Sequence, residues 1–214
     1  MARILITSGP TRQYLDPVRY LTNASSGRMG AALAASAVAA GHQVVVVSGP
    51  VEVAYPPGVE VVPVVSTEEM LAESQRIFPT CDGLIGVAAP CDYRPMKVAA
   101  GKINKNGQPL VLELIETPDV VATLGAAKTR QWCVGFALET DDHRLRALAK
   151  LEKKSCDLMV LNGTAAMNAR DTSVEIIAPD GAVLASLAGS KESVADGIFR
   201  VIEARLISAR AAAR

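Results

Sequence analysis

The chain has 214 residues, half of them apolar, and lysine plus arginine equals aspartate plus glutamate at 22 each. That length suits one compact domain, residues 1–214, or one domain with an appendage, and the balanced charge leaves no global field to draw the protein to nucleic acid or an anionic membrane. The four cysteines, Cys81, Cys91, Cys133 and Cys156, form no CxxC pair and stand far from His42 and His143, which argues against a zinc site or a disulfide framework. With no apolar run of membrane-spanning length and no signal-like leader before the first strand, the expectation is a reduced, cytoplasmic enzyme or binding protein.

In chain order, Ile4–Thr7 reads as a short strand and residues 29–40 as an alanine-rich helix ended by Gly41 at its C′ position. Val44–Ser48 is too continuously apolar to have a wet face, as a central parallel strand is. Val59–Val65 follows as a β run, then a helix over Glu68–Ile77 capped by Ser66 or Thr67, then a third apolar strand over Gly83–Ala88. Residues 97–116 break the rhythm. A polar turn, Lys102 to Gly107, precedes strand-like Leu110–Ile115, which predicts a hairpin arm that is mobile or held by a partner subunit or ligand. Pro118 is expected to open a helix in its first turn. Cys133–Phe136 is a strand, Asp141–Lys154 a charged helix, Leu158–Leu161 a strand ending at Asn162, Val174–Ile177 and Val183–Leu187 a hairpin, and residues 191–206 a last helix. The alternation predicts an α/β fold: a Rossmann-like, doubly wound, mostly parallel sheet with a projecting β-hairpin flap, and ligands beyond the carboxyl ends of its strands.

The connection Ser8–Gly30 concentrates Gly9, Pro10, Pro17, arginines, an amide, hydroxyls and two more glycines between a strand and a helix start, a place suited to anions because the first helical N–H groups lack partners. It is not a dinucleotide fingerprint. Ser25, Ser26, Gly27 and Gly30 come too late after the strand, and Val47 is followed by Ser48, Gly49 and Pro50 rather than an acidic residue, which disfavours a Rossmann-type reductase. No P-loop glycine-lysine-serine/threonine run follows a strand either, so triphosphate binding falls to dispersed groups.

The run GPTRQYLDPVRYLTNASSGRMG resembles the N-terminal signature of the phosphopantothenoylcysteine synthetases, also called phosphopantothenate–cysteine ligases. Later blocks agree in order: Ala88–Arg94, Lys102–Lys105, Pro118–Val121, Gly135–Thr140, then Lys150 and Lys154 before Asp157, with Asn162 after the strand. The resemblance implies a homodimer in coenzyme A biosynthesis that joins 4′-phosphopantothenate to L-cysteine with a nucleoside triphosphate and Mg2+. CTP is favoured over ATP, and an acyl-cytidylate, pyrophosphate and CMP are the expected species. It also implies a separate or fused phosphopantothenoylcysteine decarboxylase, and no flavin on this chain.

Carried over by resemblance, Asn23 is the catalytic asparagine, whose amide suits a carboxylate and then an oxyanion, and Arg19 the neighbouring forked cation for carboxylate or phosphate. Ser25, Ser26, Gly27 and Gly30 form a phosphate cradle. Lys102 is the flap lysine over the triphosphate. Gly86, Val87, Ala88, Pro118, Asp119, Val120, Val121 and Phe136 map to the base and ribose pocket, Asp92 to base or metal, and Lys150 and Lys154 to the phosphate tail. Ala88, Ala89 and Asp92, with Arg19 and Asn23, are the expected phosphopantothenate contacts, and no metal ligand set is assigned.

Each residue has a plainer reading. Asn23 is a common helix cap, Arg19 and Arg94 are ordinary surface ion pairs, Ser25 and Ser26 turn residues, and Lys150, Lys153 and Lys154 a solvated helix end. Cys91 is a loop thiol with no base beside it, His143 a helix-start residue and His42 a turn residue. The chain departs from the family pattern at Asn104, where many relatives carry a third flap lysine, at Thr117 in place of asparagine, at Leu138 in place of alanine, and at Met167 in place of an aromatic. A nucleotide-binding homologue that has lost the chemistry is the alternative from another class, and intact Asn23, Arg19 and Lys102 argue against it.

Overall fold

The computed structural model describes residues 1–138, 143–162 and 172–209. The central strands are β1 (Arg3–Ser8), β4 (Gln43–Ser48), β5 (Glu60–Pro63), β6 (Gly83–Gly86), β9 (Trp132–Leu138), β10 (Leu158–Asn162), β11 (Thr172–Ile177) and β12 (Val183–Gly189), in the order β12-β11-β10-β9-β6-β1-β4-β5. The six from β10 to β5 are parallel, and β11 and β12 add an antiparallel edge. Read from β5, the parallel order is third, second, first, fourth, fifth and sixth strand, so the winding reverses between β1 and β6. Two short ladders stand outside the sheet: β2 (Arg12–Tyr14) with β3 (Tyr20–Thr22), and β7 (Tyr93–Pro95) with β8 (Leu114–Glu116).

Strand alternation divides the interior into two layers. Ile4, Ile6, Val44 and Val46 face α1 (Arg28–Ala39) and α5 (Lys191–Ile202), where Leu33, Ala37, Ile198 and Phe199 are buried. Leu5, Val45 and Val47 face α2 (Thr67–Ile77), α3 (Val120–Ala127) and α4 (His143–Lys153), through Met70, Leu124 and Leu151. Both faces of the inner parallel strands such as β1 and β4 are covered, which is why their sequences run apolar without alternation, whereas the edge strand β5 is largely exposed. In β6, a Cβ on Gly83 would lie 2.1 Å from the ring of fully buried Trp132 on β9, so the strand is glycine where the indole lies across it.

The expected elements are present with shifted ends. Ser66, not Thr67, caps α2, through a reciprocal capping box with Glu69, and Thr67 turns its hydroxyl inward to Thr11. Gly41 is left-handed at φ 82, as expected after α1. Pro118 does not open α3: Asp119 is the N-cap, accepting from the Ala122 N–H, and the proline precedes it. The strand expected over 110–115 shrinks to Leu114–Glu116 paired with β7, because the preceding apolar residues find no neighbouring strand, and residues 96–113 form the arm. The last helix continues beyond Ile202 as a π-helical segment over Glu203–Ser208. Glu139, Thr140, Asp141, Asp142 and Met167 lie outside the described residues.

Candidate active site

The reversal between β1 and β6 opens a crevice at their carboxyl ends, the position where doubly wound sheets bind ligands. The Pro10–Ala89 bridge and the Ala89 N–H bond to Gly9 O hold the two emerging loops side by side. Across them lies Asn23, whose Nδ2 donates to Pro90 O at 2.8 Å and to Ala89 O at 3.3 Å. Asn23 therefore does not cap α1. The helix starts at Arg28 behind Gly27, whose φ of 73 suits glycine, and no side chain caps it.

One cavity, of about 290 Å³, lies on the α1 side of the β6 end. Ser25, Ser26, Gly27 and Gly30 line it with Val87, Ala88, Ala89 and Phe136, so the expected cradle residues come together there. The uncapped first turn of α1 lines the same space and makes it favourable for an anion. Gly30 has a second reason to be glycine: a Cβ there would meet Ser8 Oγ at 2.1 Å, so its absence lets α1 sit against the end of β1. Ala24, Arg28, Met29, Asn162, Thr172 and Lys191 complete the lining, and the resemblance assigns none of them a ligand contact. Among the described residues, the Asn162 Oδ1 is buried without a hydrogen-bond partner.

The second cavity, of about 110 Å³, lies on the α3 side of the same strand end. Gly86, Ala88, Asp92, Pro118, Asp119, Val120, Val121, Phe136 and Lys154 line it together, as expected, and Thr7, Pro90, Cys91 and Thr117 join them. Lys154 is not a freely solvated helix-end cation. Its Nζ pairs with Asp119 Oδ2 at 3.1 Å in the cavity wall, and α3 approaches closely enough that a Cβ on Gly125 would lie 2.0 Å from Lys154 O. Lys150 is not in that lining. Thr117 donates its hydroxyl to Cys91 O, to which Thr67 also donates. The Cys91 thiol is buried against the carbonyls of Thr11 and Leu21, and burial pushes it up, so it is a packed thiol rather than a nucleophile. Burial likewise raises Cys81, and raises Cys156 to about 11.

Arg19 and Lys102 lie elsewhere. Arg19 lines a third cleft, of about 370 Å³, with Ile103–Leu110 of the arm, and Lys102 is exposed and lines none of the three cavities. Arg19 is no ordinary surface pair, since its guanidinium meets the carboxylate of wholly buried Asp16 at 2.7 Å. Asp16 Oδ1 also accepts from the N–H groups of Val18 and Arg19, and Oδ2 from the N–H of Ile103 at 3.1 Å. Burial raises the Asp16 carboxyl, but the Ile103, Val18 and Arg19 N–H groups and then the Arg19 charge outweigh it and hold the group down at about 2. Arg94, in contrast, is the partly exposed surface pair expected of it, with Glu68. His42 is more than a turn residue: its side chain is buried against Phe199 and accepts from the Ala2 N–H.

Strand order, switch point and paired cavities define a Rossmann-like α/β protein with a crevice at the carboxyl edge of its sheet. The chain belongs to the DNA/pantothenate metabolism flavoprotein C-terminal domain family, whose model matches residues 1–206. It is 38% identical over 207 residues to the coenzyme A biosynthesis bifunctional protein CoaBC of Vibrio parahaemolyticus, covering 94% of this chain and 51% of that protein. It thus spans about half the length of the curated relatives it matches. A crystal structure of the C-terminal domain of CoaBC matches at a TM-score of 0.83 with 39% identity, over 95% of each chain. The fold is shared at 22% identity by the DNA/pantothenate metabolism flavoprotein from Streptococcus pneumoniae, with a TM-score of 0.83 over 95% of this chain and 99% of that one.

Proposed function

We propose that the protein is a phosphopantothenate–cysteine ligase of coenzyme A biosynthesis that uses CTP. The observation that carries this reading is the pair of cavities on either side of the β6 end, with Asn23 bonded to Ala89, which lines the larger, and to Pro90, which lines the smaller. A carboxylate resists attack by an amine and has no good leaving group. In the first half-reaction the 4′-phosphopantothenate carboxylate attacks the α-phosphorus of CTP, and pyrophosphate leaves. In the second the amine of L-cysteine attacks the acyl carbon, a C–N bond forms, and CMP leaves.

The larger cavity suits phosphate: Ser25, Ser26 and the α1 start supply donors, and Arg28 and Lys191 supply charge. The smaller one is taken for the base and ribose, with Asp92 and Asp119 as acceptors for an exocyclic amine. Asn23 reaches the carboxylate and the oxyanion in this reading by giving up one of its amide N–H bonds to Ala89 O and Pro90 O, and it does so without adding charge. Ala88 and Ala89 leave room for phosphopantothenate beside it. Arg19 and Lys102 reach the phosphates from the arm side, Lys102 by the sweep of its own side chain. Mg2+ fits as a companion of the triphosphate oxygens plus one or two carboxylates such as Asp92, since no cluster of three or more His, Cys, Asp or Glu occurs among the described residues. When bound it neutralises phosphate charge.

A homodimer belongs to the reading, supported by the exposed Met96, Val98, Leu110 and Val111 on the arm. A separate or fused phosphopantothenoylcysteine decarboxylase would take the product. No described helix is long and apolar enough to cross a membrane. The test is pyrophosphate release from purified protein with Mg2+ and 4′-phosphopantothenate, comparing CTP with ATP, with and without L-cysteine, and with mass detection. Phosphopantothenoylcysteine with CMP is the expected product pair. Adduct from ATP alone would overturn the nucleotide assignment, and adduct from neither would overturn the ligase.

A further inference from the structure

We infer that Asp16 is a positioning residue that couples the arm to the reaction, by clamping the Ile103 peptide beside Lys102 and fixing Arg19 in the same contact. The inference rests on the ligase reading for its kinetic part only. Asp16 is 0% exposed, and a carboxylate so removed from water persists only with its oxygens satisfied. Two donors, the N–H groups of Val18 and Arg19, come from its own turn and would stay with it if the arm moved. The Ile103 N–H reaches it across 87 residues of chain. Arg19, ion-paired to Asp16, donates to the Ile103 carbonyl, so one residue of the arm is gripped at both its N–H and its C=O. A further bond from Ala99 N to Leu15 O lies along the same seam.

Polar grip is needed here because apolar packing is missing. Met96, Val98, Leu110 and Val111 are each more than half exposed, so the arm has little buried surface to hold it. The clamp limits Lys102 to the sweep of its own side chain. A flap lysine so tethered contributes in the transition state only while its backbone is held, and charge-assisted hydrogen bonds to a buried carboxylate are among the stronger ways to hold it.

The variant Asp16→Asn keeps the shape and the Oδ1 acceptor and turns an N–H donor toward Ile103. Hydrogen exchange should then speed up by about tenfold or more at the Ala99 and Ile103 amides while the amides of β1, β4 and β9 keep their wild-type rates. In the same protein kcat for pyrophosphate release should fall by about tenfold with the nucleotide KM within about twofold, and Asp16→Asn with Lys102→Ala should be no slower than Lys102→Ala alone. Unchanged arm exchange, exchange raised equally across the sheet, or additive losses in the double variant would each overturn the inference. If the asparagine variant does not fold, Ile103→Pro removes the one N–H and leaves the carboxylate. It should reproduce both the kcat loss and the faster exchange at Ala99, and wild-type behaviour there counts against the clamp. A wild-type protein that makes no adduct fails the ligase reading, and the exchange result still decides the clamp.

Discussion

The valines of β4 and those of the arm are the same residue type in opposite circumstances. Val44–Val47 are 0–3% exposed between two helical layers, whereas Val98 is 54% and Val111 83% exposed, beside a buried carboxylate that grips a backbone N–H. Apolar surface holds the sheet, and hydrogen bonds and charge hold the arm. The first kind of cohesion is non-directional and tolerates approximate geometry, and the second fails when one donor is lost. Rigid scaffold and adjustable rim are thus separated by the type of force, not by composition.

Substitutions can probe that division from both sides. Ile6→Ala, in the inner layer, should cost about 2–5 kcal/mol in urea unfolding. An equal loss from an arm residue would end the distinction. Asn23→Ala at the junction should lower kcat by about 100- to 1000-fold while the dichroism spectrum and nucleotide affinity stay near wild type. Turnover within twofold of wild type would remove Asn23 from the chemistry. Lys102→Ala should slow pyrophosphate release by about tenfold and leave the unfolding midpoint in place.

The charged seam also gives a pH signature. The Asp16 carboxyl is held below its unfolded value, so its contribution is complete above about pH 4 and is lost as pH falls toward about 2. The stability difference between wild type and Asp16→Asn should therefore be flat from pH 7 to pH 5 and shrink below that, as denaturation midpoints taken across the range will show. Smallest of all, Val111→Ser should change stability by no more than about 0.5 kcal/mol in the monomer, since the side chain already stands in water.

Much of this was legible from local pattern. Four consecutive valines announced a doubly covered strand, and Gly41 announced the end of α1. Of the residues carried to a base and ribose pocket by resemblance alone, from three separate stretches, all but Val87 line one cavity, and Val87 lines the other. What the chain hid was nonlocal. β2 and β3 are three residues each, too short for a period to show. Ser190 signals the start of α5, but nothing local says that Lys191 arrives beside Gly27 and Arg28, because that depends on two helices packing on one face of the sheet. Nothing beside Asp16 in the chain announces its partner, which lies 87 residues away. Apolarity over 110–115 suggested a strand, whereas strand formation needs a neighbour and only Leu114–Glu116 has one.

The contact between Gly125 and the Lys154 carbonyl bears on the shape of the smaller cavity. A single hydrogen atom on Gly125 sets how near α3 stands to Lys154, and hence how the Asp119–Lys154 pair sits in the cavity wall. A methyl group there acts as a spacer: it would push the helix outward and widen the slot. The gauge of that slot is therefore set from behind the wall, by a residue outside its lining.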